Sequence, residues 1–166
     1  MKIFPRLFKH LFTIKAAAKR AFPPETLKAV EAAIAEGEKT HRAEVRLIVE
    51  HCLPMGAVLA RLRPRQRAIE LFGRYRIWDT EENCGVLVYV NMADRVVEIV
   101  PDRAVMRLIT RDEWRAVCDT MTSGFAQGNF RDSTIAALNQ LNALLQTHYP
   151  AGKPHANQLP NQPVVL

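Results

Sequence analysis

The fold of this 166-residue chain is decided by two stretches, CGVLVYVN at residues 84–91 and RVVEIV at residues 95–100. Both are rich in β-branched and aromatic residues, and the short connection between them suits a hairpin turn. The first stretch is apolar at nearly every position, which is typical of a central strand with both faces covered. We therefore predict a β-hairpin whose first strand lies inside a sheet.

A third strand and a helix precede this hairpin. In AEVRLIVE at residues 43–50, Val45, Leu47 and Val49 alternate with their neighbours and form one fully apolar face. PRQRAIELF at residues 64–72 predicts a helix that begins at a proline. The order strand, helix, strand is that of a βαβ unit, so the chain is expected to belong to the α/β class.

Further helices are expected on either side of this unit. After Pro23 and Pro24, apolar residues recur at helical spacing up to Gly37. Thr110 and Glu113 form a capping-box pattern at the start of another amphipathic segment. A last helix is predicted before Pro150, with apolar residues at Ile135, Leu138, Leu141 and Leu145.

The length and composition fit one compact domain. Hydrophobic residues make up 48% of the chain and charged residues 24%, the balance of a globular protein with a packed core. We place this domain at residues 23–149. Residues 150–166 are interrupted by Gly152, Pro154, Pro160 and Pro163 and show no periodicity, so we expect a disordered tail.

The net charge of +6 is concentrated at the N-terminus. Residues 1–20 hold six lysines and arginines and no acidic residue, and the remaining residues carry 17 basic and 17 acidic side chains. With phenylalanine and leucine at near-helical spacing, residues 1–22 are predicted to form a basic amphipathic helix. One interpretation is contact with an anionic membrane surface; the other is packing on the chain's own domain. The candidate membrane residues are Lys2, Phe4, Arg6, Leu7, Phe8, Lys9, Leu11, Phe12 and Lys15.

Targeting and redox features are few. Cys52, Cys84 and Cys118 are odd in number and widely spaced, so we expect reduced thiols and neither a disulfide framework nor a zinc site. Charged residues interrupt the N-terminal apolar positions, which argues against a secretory signal, and no stretch is apolar enough to span a bilayer. We expect a cytoplasmic protein, peripheral at the membrane if the first helix binds lipid.

Several stretches together resemble the TPM domain, a family named for thylakoid lumen phosphatase-like, photosystem repair and receptor-accessory proteins. The resemblance covers about residues 25–149. It rests on GVLVYV at 85–90, Asp94 and Arg95, VEIVPDR at 97–103, Trp114, and Phe125, Gly128 and Phe130 ahead of the final helix. It implies a three-layer α/β/α sandwich with a small mixed sheet.

The same resemblance implies two kinds of activity. Some members are reported to be acid phosphatases that bind calcium through aspartates, and others act through protein partners. This sequence departs from the commoner family pattern twice. It has Phe22-Pro23-Pro24-Glu25 where an aspartate-bearing segment is usual, and Val100-Pro101-Asp102-Arg103 where many relatives have a glycine-tyrosine-glycine turn. Both departures weigh against calcium binding and phosphatase chemistry.

Acidic residues around the hairpin are the candidates for an enzymatic alternative. A run of them directly precedes the central strand, and two more follow its partner strand. Calcium or another divalent cation takes six to eight oxygen ligands from such groups. The candidate metal ligands are Asp79, Glu81, Glu82, Asp102 and Asp112, with Asp79 and Asp102 as candidate catalytic residues. The competing interpretation is a solvated acidic loop, because exposed charges need no function.

Basic residues form a second candidate site. Guanidinium groups bind phosphate and carboxylate oxygens, so a dense arginine patch can recognise a phosphate, an anionic lipid or an acidic protein. Few exposed aromatics are expected nearby, and the chain is neutral beyond residue 20, so nucleic acid is not favoured. The candidate binding residues are Arg61, Arg63, Arg65, Arg67, Arg74, Arg76 and, after the second hairpin strand, Arg103. The alternative is a solvated helix face.

No serine-hydrolase, Walker or zinc-protease motif is present in the sequence. We therefore expect a TPM-like interaction or accessory domain without catalytic activity and without a cofactor, which binds an unidentified protein partner. The alternative is a metal-dependent acid phosphatase. An enzyme of that kind would need several carboxylates converging in one cleft.

Overall fold

The computed structural model describes Arg6, Leu7, His10, residues 19–152 and residues 156–166. Within them, a four-stranded sheet has the order β3-β2-β1-β4. The strands are β1 (Glu44–Glu50), β2 (Gly85–Asn91), β3 (Val96–Pro101) and β4 (Val164–Val165). β1 is parallel to both of its neighbours, and β2 is antiparallel to β3, so the sheet is mixed.

Helices occupy most of the remaining chain. Before the first complete helix, the helical residues are Arg6, Leu7, His10 and residues 19–21. These are α1 (Pro24–Gly37), α2 (Met55–Leu59), α3 (Pro64–Arg74), α4 (Arg103–Met106), α5 (Arg111–Ala126) and α6 (Phe130–His148). The predicted α/β class with a small mixed sheet is confirmed.

Both faces of the sheet are covered by apolar side chains. On one face, Val45, Leu47 and Val49 of β1 join a cluster that includes residues of α1, α5 and α6. On the other face, Ile48 packs with Ala68 and Leu71 of α3. All seven residues of β2 are buried, as predicted for a central strand. The alternation of β1 therefore reflects two separate cores.

The first residue of β2, Gly85, lies very close to the backbone of the segment that precedes the strand. A Cβ atom at this position would lie 1.9 Å from the carbonyl oxygen of Ile77, so no larger residue fits without moving backbone. The Ile77 side chain is fully buried in the same place. Gly85 thus fixes the segment before β2 against the sheet.

Local signals set several helix boundaries. Thr110 Oγ1 accepts a hydrogen bond from the backbone N–H of Glu113, and Glu113 Oε2 accepts one from the backbone N–H of Thr110. This reciprocal pair starts α5 as its sequence pattern predicts. Phe22 packs edge-on against Phe125 at 6.0 Å between ring centroids. Ala21 and Phe22, which precede the predicted domain boundary at residue 23, thus belong to the core.

The prediction of a disordered tail is wrong for the described residues 156–166. Val164 and Val165 pair with Ile48 and Val49 of β1, and Leu159 is 7% exposed. The reason is that β1 would otherwise be a sheet edge with unpaired backbone groups. Prolines around a short strand do not prevent such pairing, because an edge strand uses only part of its backbone donors.

The three cysteines are free, and Cys84 is buried at the start of β2. Burial raises the pKa of all three thiols, to about 11 in Cys118. Among the described residues, no helix is long and apolar enough to cross a bilayer.

Candidate functional site

The carboxyl ends of the parallel strands carry a buried polar pair. Glu50 ends β1, Asn91 ends β2, and the two residues are register partners. Glu50 is 4% exposed and Asn91 is fully buried. Because ligands of α/β sheets tend to bind at the carboxyl ends of strands, this position is the first place to look for a site.

Each polar atom of this pair has partners. The Tyr89 hydroxyl donates to Glu50 Oε2 at 2.6 Å, and Asn91 Nδ2 donates to the Tyr89 hydroxyl at 3.0 Å. Arg67 of α3 donates to both carboxylate oxygens of Glu50, with Nη2 at 2.8 Å from Oε1. Burial, followed by the hydrogen bond to Glu50, raises the pKa of Tyr89. The pairing with Glu50 raises the pKa of Arg67, so the guanidinium keeps its charge at neutral pH.

The hairpin turn beside this network holds the N-terminal segment. Arg6 donates to Asp94 through Nε at 2.9 Å and Nη2 at 2.7 Å. His10 Nε2 lies 3.1 Å from Asp94 Oδ1, and His10 Nδ1 accepts a hydrogen bond from the Leu53 backbone N–H. The side chains of Arg6, His10 and Asp94 are 7%, 0% and 3% exposed. Burial alone would raise the pKa of Asp94, but Arg6 and His10 hold it below its ordinary value.

This arrangement gives Arg6 a partner inside the protein. Arg6 was a candidate membrane residue, and in the structure its guanidinium faces Asp94. Leu7 is half-buried. The other candidate membrane residues lie outside the described part of the chain. The structure thus supports packing on the domain for the one cation of this set that it describes.

Two acidic residues, Glu38 and Glu44, lie close together at the amino-terminal end of β1, the end opposite to Glu50. Glu38 Oε1 accepts a hydrogen bond from the Val45 backbone N–H at 2.8 Å. Glu44 is 1% exposed, and its Oε2 accepts from the Leu159 backbone N–H at 3.1 Å. Burial raises the pKa of Glu38 to about 7, against the Val45 hydrogen bond, and the charge of Glu44 adds to the increase.

The acidic run before β2 is distributed among separate partners. Asp79 pairs with Arg76 at 2.7 Å, and Glu82 pairs with Arg42 at 2.8 Å. Tyr149 also donates its hydroxyl hydrogen to Glu82. The side chain of Glu81 is exposed, as is that of Asp112 in the first turn of α5.

Asp102 behaves differently from the other acids. It caps the four-residue helix α4 by accepting a hydrogen bond from the Arg103 backbone N–H at 2.7 Å. Its second oxygen, Oδ2, is buried and has no hydrogen-bond partner within the described residues. A cavity of about 290 Å³ lies nearby, lined by Glu82, Asn83, Arg103, Ala104 and Arg107. Arg103 Nη2 donates to Asn83 Oδ1 in its wall.

The candidate carboxylates do not converge. In residues 19–152 and 156–166, together with Arg6, Leu7 and His10, no group of three or more His, Cys, Asp or Glu side chains is placed to hold a metal ion. Asp79, Glu81, Glu82, Asp102 and Asp112 therefore do not form the metal centre that the phosphatase alternative needs.

The predicted arginine patch divides into paired and exposed members. Arg67 is bound to Glu50, Arg65 lies 3.6 Å from Glu98, and Arg76 is paired with Asp79. Arg61, Arg63 and Arg74 are exposed, with no ion pair to any described residue. Apolar side chains of the same stretch of chain are exposed too, Leu59 at the end of α2 at 58% and Ile69 of α3 at 53%. We call the exposed residues Leu59, Arg61, Arg63, Arg65, Ile69 and Arg74 the α2–α3 surface.

Sequence reasoning missed the residues that are in fact brought together, namely Glu50, Tyr89, Asn91, Asp94 and His10. One signal was available for Glu50 and Asn91, since each is a polar residue that ends an apolar strand. Their side-by-side placement depends on the parallel register, which the sequence does not specify. No local pattern links His10 or Arg6 to Asp94, which is more than 80 residues away.

A small mixed sheet with helices on both faces and polar residues at its strand ends defines the α/β class. The chain belongs to the TPM domain family, whose model matches residues 17–144. This confirms the resemblance inferred from the hairpin and the final helices. No match was found among curated proteins.

A solved structure supports the same fold. The chain is similar to the BA42 protein from the psychrophilic bacterium Bizionia argentinensis, determined by NMR, with 25% sequence identity and a TM-score of 0.75. The similarity covers 85% of this chain and 92% of the BA42 chain. Nearly the whole of that protein is therefore represented here.

Proposed function

We propose that this protein is a non-catalytic interaction domain that docks onto an acidic protein partner through the α2–α3 surface, at the cytoplasmic face of a membrane. The observation that carries the proposal is the exposure of Leu59 and Ile69 in the same stretch of chain as Arg61, Arg63 and Arg74, which have no ion pair to any described residue. A single exposed leucine needs no explanation. Apolar groups flanked by arginine, however, match the composition of interface cores, in which arginine is enriched.

The pairing of the strand-end acids supports the non-catalytic part of the proposal. A general base must be free to accept a proton from substrate, and a metal ligand must offer a lone pair to the ion. Glu50 is already bound by Arg67 and Tyr89, and Asp94 by Arg6. Using either carboxylate for chemistry would require breaking a buried ion pair, which costs several kcal/mol.

The membrane part of the proposal rests on the N-terminal sequence. Residues 1–20 carry the whole net charge, and each cation near an anionic surface contributes about 1 kcal/mol. Arg6 is held by Asp94, so it would contribute only after the segment leaves the domain. Membrane contact is therefore expected to compete with docking of this segment.

The test is capture of partners from a membrane-containing lysate by the full chain and by two charge-reversal variants. We expect Arg61→Glu combined with Arg63→Glu to lower recovery of an acidic partner by about tenfold, because rim charges govern association. Arg111→Glu combined with Arg131→Glu is the matched control, since both residues are exposed on other helices. Equal loss in both double variants would show only a general charge effect and would contradict the proposal.

One observation favours metal-dependent phosphatase activity as a second candidate. Asp102 Oδ2 is buried without a hydrogen-bond partner among the described residues, and Arg103 stands beside it. A buried unpaired carboxylate oxygen is costly, so such an atom can mark a ligand site. Turnover of a generic phosphate ester that needs a divalent cation and is abolished by Asp102→Asn would establish this candidate. No turnover with calcium, magnesium or manganese would favour the interaction domain.

A further inference from the structure

The outer edge of β1 is occupied by the chain's own residues 158–166. The Leu166 backbone N–H donates to the Val49 carbonyl at 2.8 Å, and the Leu166 carbonyl accepts from His51 through Nδ1 at 2.5 Å. At the other end of the segment, Gln158 Oε1 accepts from the Glu81 backbone N–H at 2.7 Å. Arg46 also donates to the Pro160 carbonyl. Polar contacts therefore hold the segment along its length.

The side chains of this segment alternate between the two cores. Leu159 is 7% exposed and belongs to the cluster under α3, where Val164 and Leu166 also pack. Val165 packs against the cluster on the opposite face. Backbone pairing with a sheet edge together with pockets for alternate side chains is how β-augmentation recognises extended peptides.

We propose that the outer edge of β1 is a peptide-recognition groove, that residues 158–166 fill it within one chain, and that the same segment of a second copy can take their place. The strand pairing of the segment is short, because only two of its residues, Val164 and Val165, are ladder partners of the seven-residue β1. Every contact described above would be reproduced if the segment came from another copy. A second copy carries the same residues 158–166, so its segment would fit the groove through the same contacts.

The connection to the groove also suits an exchange. Pro150 and Gly152 follow α6 and are not helical, so the chain leaves the helix before it reaches the segment. Exchange of an identical element between copies is a low-cost route to association. A tethered segment acts at an effective concentration of about 1 mM, so the intact chain resists free peptide until its own segment is weakened.

The first test uses a labelled peptide with the sequence of residues 157–166 and three full-length proteins. We expect the Leu159→Asp variant to bind the peptide at least tenfold more tightly than the wild type, because its own anchor is lost while the pocket remains. Leu108→Asp is the matched control, since Leu108 is 43% exposed and lies outside both the groove and the α2–α3 surface, and it should behave as the wild type. A peptide carrying Leu166→Pro lacks the donor to Val49 and should bind at least tenfold more weakly. A peptide carrying Gln162→Ala should bind normally.

If Leu159→Asp does not fold, Leu166→Pro in the full chain serves the same purpose and keeps the Leu159 anchor. Peptide binding that is equal in the variants and the wild type, or that is unchanged by Leu166→Pro in the peptide, would overturn the groove.

The second test mixes tagged and untagged wild-type chains. Recovery of untagged protein with the tagged copy should increase with concentration and be lost when both copies carry Leu166→Pro. Failure to co-purify after incubation near about 1 mM, the effective concentration of the tether, would overturn exchange between copies.

Discussion

Tyr89 and Glu50 lie on neighbouring parallel strands, and the tyrosine hydroxyl donates to Glu50 Oε2 over 2.6 Å in a fully buried position. Arg67 approaches the same carboxylate from α3. The three side chains therefore tie β1, β2 and α3 together at the carboxyl end of the sheet. A buried carboxylate with two strong donors is stable only while both remain, because its desolvation must be offset.

Removal of the tyrosine hydroxyl should destabilise the domain. Tyr89→Phe keeps the ring but takes a donor from a buried carboxylate, and a hydrogen bond to a charged group contributes about 1.5–3 kcal/mol. We expect the free energy of unfolding to fall by roughly that amount in a urea titration. Tyr75→Phe is the control, because the described residues give its hydroxyl no hydrogen bond, and it should change stability by less than about 0.5 kcal/mol. Equal effects in the two variants would mean that the hydrogen bond from Tyr89 to Glu50 makes no specific contribution to stability.

Loss of Arg67 should cost more than loss of the hydroxyl. Arg67→Ala leaves the buried carboxyl group of Glu50 without its cation, a change that typically costs about 3–5 kcal/mol. Arg67→Lys keeps the charge but not the two-pronged geometry, so it should restore only part of the stability. Thermal unfolding of both variants gives the order. Arg63→Ala, an exposed arginine on the preceding turn, should be close to neutral.

The fold could be predicted because its signals are local. The hairpin, the strand at residues 43–50 and the capping box of α5 each depend on composition or spacing within ten residues. These elements are present in the structure because the local signals and the burial of apolar residues favour the same conformation. The tail was misjudged for the opposite reason. Val164 and Val165 form a strand only because β1 offers them an edge, and a two-residue strand has no periodicity to detect.

The candidate site could be predicted only in its components. The sequence shows which residues are acidic and which are basic, but which of them form ion pairs depends on distances in the folded chain. Arg67 was grouped with the surface arginines, although it is bound to Glu50 beneath α3. The α2–α3 surface kept Arg61, Arg63 and Arg74 exposed, as a solvated basic patch requires. Long-range ion pairs are invisible to spacing arguments, since their cost and gain are set by burial.

Glu38 should make stability depend on pH. Burial raises its pKa from 4.5 to about 7, so the folded state holds a proton that the unfolded chain has released between these values. The contribution of Glu38 to the free energy of unfolding is therefore greatest below about pH 4.5. It falls as pH rises from there to about 7, and it is constant above about pH 7. Glu38 is only partly buried, so we expect a loss of about 1–2 kcal/mol and not the full value of the shift.

Urea titrations from pH 5 to pH 8 would measure this loss. Glu38→Gln should remove it, because the amide has no proton to release in this range. Glu36→Gln is the control, since Glu36 is exposed in the last turn of α1, two residues before Glu38, and pairs with Lys39. A slope that survives in Glu38→Gln would assign the pH dependence to another group.

Neutralising Asp94 should release the N-terminal segment. Arg6 is 7% exposed and has the Asp94 carboxylate as its partner, so Asp94→Ala leaves a buried cation without a counter-ion. Breaking a buried pair costs about 3 kcal/mol or more, which corresponds to roughly a hundredfold shift from docked to free segment. Free residues 1–20 would then present all of their cations to an anionic membrane.

Two measurements check this release. The Leu53 backbone N–H, which donates to His10 Nδ1, should exchange its hydrogen faster in Asp94→Ala than in the wild type. Co-sedimentation with phosphatidylserine vesicles should increase in the variant and weaken as salt is added, because the surface potential is screened over about 8 Å at physiological ionic strength. Asp79→Ala removes an exposed ion pair with Arg76 and should leave both measurements unchanged.

The pKa of Asp94 sets the pH range of this docking. Because the value is lowered in the folded state, the ion pair stabilises the docked segment above the ordinary aspartate pKa and is lost only as pH falls below it. The titration of Asp94 should therefore not change vesicle binding by the wild type between about pH 5 and pH 7. Faster exchange at Leu53 without any gain in vesicle binding would support the role of the ion pair between Arg6 and Asp94 in docking the segment. It would rule out membrane contact by the released segment.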